Sequence, residues 1–338
     1  MTDRLKLARA FLDRTEWADA EVTPLAGDAS NRRYDRLRDH ASGETAVLMD
    51  APPARGEDIG PFVTIATYLT QLGLSAPHIF VQDRENGFLL IEDLGDALFA
   101  RVIPDAPDLE QKLYETATDV LIELHRHAPP SGLPVYTPDI MADMASLVFD
   151  WYCPALTGPD PAARAANHAA FRAALPRNHD VLIQRDYHAE NLLWLPQRDG
   201  VARVGLLDFQ DAMCGHRAYD LVSLLQDARR DVPAEIETAM IARYVAATAQ
   251  DRAEFDAAYH LLGAQRNLRI LGVFARLCLR DGKAHYVDLI PRVWGYLQTD
   301  LAHPALAKIA SILRPALPEP GPDALNMLKS KCATLQPR

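Results

Sequence analysis

Cysteine is scarce in this chain of 338 residues: four thiols, Cys153, Cys214, Cys278 and Cys332, lie far apart. They show neither the paired spacing of a zinc site nor the density of a disulfide scaffold, which leaves buried free thiols in a reducing compartment. Basic charge is also in deficit, with 35 Lys and Arg against 46 Asp and Glu for a formal net charge of −11. That balance opposes adsorption to nucleic acid or anionic lipid over the whole surface, while a local basic site stays open. No apolar run approaches the roughly 18 residues that suggest a membrane span. The first stretch, MTDRLKLARAFLDRTEW, mixes charges of both signs into an apolar pattern at helical spacing, unlike the uninterrupted apolar core of a secretory signal. No internal repeat is visible. The expectation is a soluble cytoplasmic protein with no nucleic-acid, membrane or protein partner implied.

What is present is an ordinary folding composition, 49% hydrophobic and 24% charged, in a chain long enough for two lobes. Up to residue 94 the segments AEVTPLAG, RRYDRLR, TAVLMDAP, HIFVQD and GFLLIEDL read as five short strands separated by turn formers. Among them residues 58–72, DIGPFVTIATYLTQL, place Phe62, Ile65, Ala66 and Leu69 at 3–4 spacing, a helix that can lie on the sheet. Residues 95–317 are mainly helical, interrupted near 181–208 by short β segments. Residues 318–338 begin Pro-rich, end polar and read as a loosely attached tail.

The chemistry concentrates in that interruption. LIQRDYHAENLLW sets Asp186 ahead of Asn191 with four residues between them, and VGLLDFQDA then brings Asp208 after a short hairpin. Phosphoryl transfer from ATP uses this arrangement: the first Asp accepts the proton of the attacking hydroxyl, while the Asn and the later Asp hold Mg²⁺ against the phosphates. Asp and Asn are also ordinary turn residues that bond their own backbone. It is their combination, inside a two-lobed pattern, that favours chemistry over turns.

These stretches, with GDASNRRYDRL, LLIEDLG, GLLDFQDAMCGHRAYDLVSLLQDARR and LRILGVFARLCLRDGK, resemble the aminoglycoside phosphotransferase and choline kinase relatives of the protein kinases, over roughly residues 20–300. Within that family they are most similar to bacterial kinases acting on the anomeric hydroxyl of N-acetylmuramate and N-acetylglucosamine. The resemblance implies an α+β, bilobal, protein-kinase-like fold: a small N-terminal lobe (1–94) of five antiparallel strands plus a helix, and a larger helical lobe carrying the acceptor site. It implies ATP and Mg²⁺ as cofactors, Asp186 as base, and Asn191 and Asp208 as metal ligands. It also implies adenine contact through the backbone at Glu92 and Leu94, and Asp220 as a brace of the catalytic loop. Asp211 is a further candidate for a second metal or the sugar, and His188 for acceptor contact.

Two departures from the family pattern stand out. The third strand, AVLMD, lacks the phosphate-gripping Lys and the following helix lacks its Glu partner; losing both leaves no unpaired charge and passes the phosphates to other cations, Arg32 and Arg33 being the candidates. The loop GDASN has one Gly, so Gly27, Ala29 and Ser30 would together bring backbone amides to phosphate. Gln184 replaces a His usual in relatives and would take over its structural hydrogen bonds.

The acceptor is read from charge. Arg266, Arg269, Arg276, Arg280 and Lys283 cluster in an otherwise acidic chain, with the four arginines near one helix face. They are either a solvated face or a grip for an anionic group on a small sugar acceptor, such as a lactyl carboxylate. A polycationic aminoglycoside would call for carboxylates instead. An aminoglycoside or choline-type metabolite kinase, an ATP-binding pseudokinase serving as an interaction module, and a purely structural helical protein remain the other open readings.

Overall fold

Strands that are apolar on both faces must be covered on both, and TAVLMD and FLLIE are of that kind. In the computed structural model, which describes residues 3–25 and 31–334, they form the centre of a five-stranded antiparallel sheet. Its strands are β1 (Glu21–Pro24), β2 (Arg33–Arg38), β3 (Thr45–Asp50), β4 (Ile79–Asp83) and β5 (Phe88–Glu92), in the order β1-β2-β3-β5-β4. Leu48 lies opposite Leu90 and Val47 opposite Ile91. Helix α1 (Asp3–Leu12) covers one face: Ala8, Phe11 and Leu12, with Trp17, bury against Leu37, Ala46, Leu48, Phe88 and Leu90. Phe11 stacks on Phe88 at 5.6 Å, and Arg4, bonded to Asp50, lies over the same ring. Each large apolar side chain so buried contributes about 1.5–3 kcal/mol.

Helix α2 (Gly60–Gln71) buries Phe62, Ile65, Ala66 and Leu69, the stripe read from the sequence. The β4–β5 turn closes on Gly87 at φ 71°, where an added Cβ would stand 2.0 Å from the Ala51 carbonyl oxygen, so only glycine fits. The rest of the chain is mainly helical: α3 (Phe99–Asp105), α4 (Glu110–Leu124), α5 (Pro138–Leu147), α6 (Cys153–Thr157), α7 (Pro161–Ala174), α8 (Tyr219–Leu225), α9 (Ala234–Thr248), α10 (Arg252–Leu279), α11 (Ile290–Ala302), α12 (Ala307–Leu313) and α13 (Pro322–Ser330). Four short strands interrupt it, β6 (Val181–Ile183), β7 (Leu192–Trp194), β8 (Val204–Leu206) and β9 (Met213–Gly215). Among the described residues no helix is long and apolar enough to cross a membrane.

Two compact units divide these elements, Met1–Val120 with Ala189–Ala212, and Leu121–His188 with Met213–Arg338. The β7–β8 hairpin therefore belongs with the N-terminal sheet, which a sequence boundary at residue 94 does not anticipate. Backbone bonds make the join: Leu206 N–H donates to the Ser75 carbonyl at 2.9 Å and Trp194 N–H to the Ala97 carbonyl at 2.8 Å. Beneath them Leu94, Leu193 and Leu195 form one buried cluster with Leu98 and Leu207.

The second unit is organised by α10, 28 residues long and capped by Asp251, whose side chain accepts the Glu254 amide. Gly272 lets α10 approach α5, since a Cβ there would stand 2.4 Å from the Leu147 backbone. The segment from residue 318 differs from the loose tail expected of it. Tyr152 Oη donates to the Pro318 carbonyl at 2.8 Å, Leu328 of α13 is fully buried, and Ala333 N–H donates to the Cys278 carbonyl. Proline and polar composition concealed a short amphipathic helix, docked by Leu328 together with these backbone bonds.

Candidate active site

In the first unit the sheet face opposite α1, together with the β7–β8 hairpin, encloses a cavity of about 390 Å³. Val47 and Ile91 come from the sheet, Leu193 and Leu207 from the hairpin and its continuation, and Phe62 from α2. A space of this size with apolar walls and a few polar groups at its rim suits a flat heteroaromatic ring. Glu92, Asp93 and Leu94 form one edge. The Glu92 amide donates to the His78 carbonyl and its carboxylate holds Arg198, whereas the Leu94 amide has no protein acceptor among the described residues. Arg36, reaching across from β2, bonds Asp93 at 2.7 Å and Asp96 at 2.8 Å; these carboxylates, Asp96 foremost, hold its guanidinium more firmly protonated than usual.

Asn191 and Asp208 line the same cavity. The hairpin register explains their pairing: Leu192 faces Leu206, and Leu207 N–H donates to the Asn191 carbonyl at 3.0 Å, so the residues flanking the ladder end side by side. Asp208 then takes φ 56°, a left-handed conformation costly for a residue with a Cβ. This brings its carboxylate to 3.4 Å from Asn191 Nδ2 and 2.6 Å from Gln210 Nε2. Mg²⁺ needs little more from a protein than one or two such oxygens, since nucleotide phosphates and water complete its shell. The pair fits that demand, and among the described residues no group of three or more His, Cys, Asp or Glu offers a denser metal cage. Asn191 would turn its carbonyl oxygen, in place of its amide nitrogen, toward a bound cation.

The second unit holds Asp186. The chain leaves β6 through buried Gln184 and half-buried Arg185, the latter at φ 72°. Asp220 of α8 accepts the Gln184 amide at 2.6 Å and the Arg185 amide at 2.9 Å, clamping this bend from below. Burial pushes the Asp220 carboxyl up to about 7 against the lowering effect of those two bonds. For Asp186 burial also acts upward, but the fields of Arg269, Arg266, His188 and Arg185 outweigh it and hold the carboxyl below its ordinary value. It is ionised at neutral pH, as a base must be.

Two arginines of α10 serve this surrounding. Arg266 is buried and donates to Ser223 Oγ at 2.8 Å, while Arg269 lies in the field of Tyr219 and Tyr136, whose rings meet edge to face at 5.2 Å. Arg185 lies 5.6 Å above the Tyr136 ring. His188 is buried, and its ring is pushed down to about 4 by that burial, which keeps it neutral. Just past the end of α10, Arg280 pairs with Asp281 at 2.7 Å.

Other candidates fall elsewhere. Gly27, Ala29 and Ser30 lie outside the described residues. Arg32 pairs with Glu57 at 2.9 Å and exposed Arg33 with Asp35 at 2.9 Å; of the described arginines, Arg36 and Arg101 line the cavity. Asp211 is exposed, and it is Gln210 that lines the cavity. Arg36, Glu57, Gln210 and Tyr136 escape a motif reading. Strand alternation from Arg32 through Tyr34 could have flagged Arg36; nothing local marks the others.

Residues 21–258 match the family model described as the phosphotransferase enzyme family. The chain belongs to that family. Similar proteins include the N-acetylmuramate/N-acetylglucosamine kinase of Caulobacter vibrioides, 41% identical across 91% of this chain and 95% of its own length. The kinase of the same name from Pseudomonas aeruginosa is 35% identical across 87% and 88%. Among solved structures, a microcompartment-associated aminopropanol kinase superposes with TM-score 0.60 at 17% identity, covering 91% of this chain and 98% of that one. Plasmodium vivax ethanolamine kinase gives 0.58 at 14% identity, covering 90% and 88%. At such identities the structural likeness speaks for the fold, and the phosphotransferase assignment rests on the family match and the sequence relatives.

Proposed function

We propose that this phosphotransferase is an ATP-dependent kinase that phosphorylates the anomeric C1 hydroxyl of N-acetylmuramate or N-acetylglucosamine in the recycling of cell-wall sugars. The observation that carries the acceptor choice is the cationic setting of Asp186. Three arginines and a neutral histidine surround one ionised carboxylate, a setting that favours an acceptor with an anionic substituent and opposes a polycation. The names of the sequence relatives point the same way.

In this reading the apolar cavity takes adenine, with the Leu94 amide as donor to its edge. Asn191 and Asp208 hold Mg²⁺, which when bound supplies charge neutralisation along the phosphates. Asp186 orients the sugar hydroxyl and accepts its proton as the oxygen–phosphorus bond forms and ADP departs. An anomeric hydroxyl is more acidic than an ordinary alcohol, so a carboxylate of lowered pKa is an adequate base once geometry is in line. Asp220 keeps the loop in shape without touching substrate. We place the reaction in the cytoplasm, where ATP is supplied.

Phosphorus NMR of products from a panel of N-acetylmuramate, N-acetylglucosamine, an aminoglycoside and choline tests the proposal. An anomeric phosphate from either amino sugar is expected. Transfer to another position or to another acceptor class would displace the reading, and nucleotide binding without transfer to any acceptor would favour the pseudokinase.

A further inference from the structure

A kinase cavity without a lysine on its third strand still has to hold the nucleotide phosphates. On β3, two residues beyond Val47 of the cavity wall and on the same side of the strand, stands Met49, fully buried, opposite Tyr34 of β2. Along β2 the side chains alternate. Asp35 and Leu37 are buried on the α1 side, and Tyr34 and Arg36 line the cavity. Arg32 precedes the strand by one residue and falls in the cavity-side alternation; Arg33 does not.

The direction along this row matters. Arg36 is bonded to Asp93 and Asp96 beside the Glu92–Leu94 edge, the base end of the cavity. At the other end Phe62, in the first turn of α2, packs at 5.0 Å on Phe209, the neighbour of Asp208. Arg32 is tied to that end, because its Nε donates at 2.9 Å to Glu57, three residues ahead of α2. Both side chains are largely shielded, 12% and 13% exposed. Glu57 is fixed in turn, since its second oxygen accepts the Asn31 amide at 3.2 Å. Burial lowers the Arg32 pKa, and Tyr34 and Glu57 more than restore it, so the cation is secure.

We propose that the Arg32–Glu57 pair replaces the absent strand-lysine and helix-glutamate pair, with Arg32 gripping the nucleotide phosphates and Glu57 acting as its positioning residue. The assignment rests on the kinase reading above. A guanidinium carries five donors in a planar fork and can hold a carboxylate and a phosphate together, which an ammonium does with less geometric definition. The cation has moved from the third strand to the second, and its carboxylate from within the helix to the segment ahead of it.

Calorimetric titration of the full-length protein with Mg-ADP and, separately, with adenosine separates this role from that of a strut between β2 and α2. Arg32→Ala is expected to weaken ADP by about 10- to 100-fold while adenosine changes less than about threefold. Arg32→Lys should recover part of the loss. Glu57→Gln, nearly isosteric and safer for folding, should weaken ADP by a smaller factor, leave adenosine unchanged and raise KM for ATP more than it lowers kcat. Equal weakening of both ligands in the variants, or no weakening of ADP, would overturn the assignment alone. A wild-type protein that binds no nucleotide would overturn the kinase reading and this assignment with it.

Discussion

The two units treat charge in opposite ways. Around the cavity of the first, each cation has a nearby carboxylate: Arg36 with Asp93 and Asp96, Arg198 with Glu92, Arg32 with Glu57. Around Asp186 in the second, Arg185, Arg266 and Arg269 face one ionised carboxylate and Asp220, whose carboxyl burial pushes up. Beside His188, Asp227 and Arg229 offset each other. On the proposed reading a nucleotide would arrive with a metal that cancels much of its charge, so a balanced cavity would suffice and apolar walls would supply the affinity. Around Asp186 three arginines bear on one carboxylate, a setting that an anionic group on the acceptor would help to balance.

The sharpest way to break this contrast is at the base. Asp186→Asn should lower kcat by about 10²- to 10⁴-fold with Mg-ADP affinity unchanged in the titration used for Arg32. Because the Asp186 carboxyl lies below its ordinary value of 3.8, the acid limb of kcat/KM for the wild type should fall below that pH. An acid limb near pH 6 would mean that another group is the base. Next in size, Asp208→Ala should cost about 10²- to 10³-fold in kcat and weaken Mg-ADP while adenosine binding persists, a split opposite to that of Asp186→Asn.

The acceptor half gives the third test. If Arg269 meets a substrate carboxylate, Arg269→Ala should lower kcat/KM for N-acetylmuramate by about 10- to 100-fold and for N-acetylglucosamine, which lacks the carboxylate, far less. Equal losses would make Arg269 a support for Tyr136 and Tyr219. Asp220 offers a stability readout. Its carboxyl binds a proton more tightly in the folded state, at about 7 against an ordinary 3.8, so its contribution is greatest below the ordinary value and declines as pH rises toward 7. Asp220→Asn should remove part of that decline, Asp300 at about 6 retaining a similar one. It should also cost about 1–3 kcal/mol in urea unfolding at pH 5, because an amide side chain has one acceptor oxygen and turns its NH2 toward the second loop N–H.

The sequence disclosed the five strands because central strands and edge strands leave different marks: unbroken apolar runs at TAVLMD and FLLIE, polar mixtures in β1 and β4. Asp186, Asn191 and Asp208 stand out as candidates because their motif is local. The fold adds what spacing cannot say, that the hairpin register sets Asn191 against Asp208 and that the hairpin joins the N-terminal unit through Ser75 and Ala97. Glu57, the partner proposed for Arg32, carries no helical signature because it stands ahead of α2. The docking of residues 318–334 was hidden by a composition that fits both a loose tail and a short capped helix.

The smallest effect is expected where the two faces of β2 part. Arg33 differs from Arg32 by one residue, yet its side chain is 45% exposed and its partner is Asp35, on the face turned to α1. Exposed ion pairs are screened by solvent, so Arg33→Ala should cost about 0–1 kcal/mol of stability and change KM for ATP by less than about twofold. Asp35 adds a sign: burial raises its carboxyl and Arg33 opposes this, so the variant should hold the Asp35 proton to higher pH and lose its stability deficit in acid. Unfolding at pH 4 and pH 8 measures that difference. A large rise in KM for ATP on replacing Arg33, with Arg32→Ala silent, would exchange the two faces and move the phosphate cation to the other side of the strand.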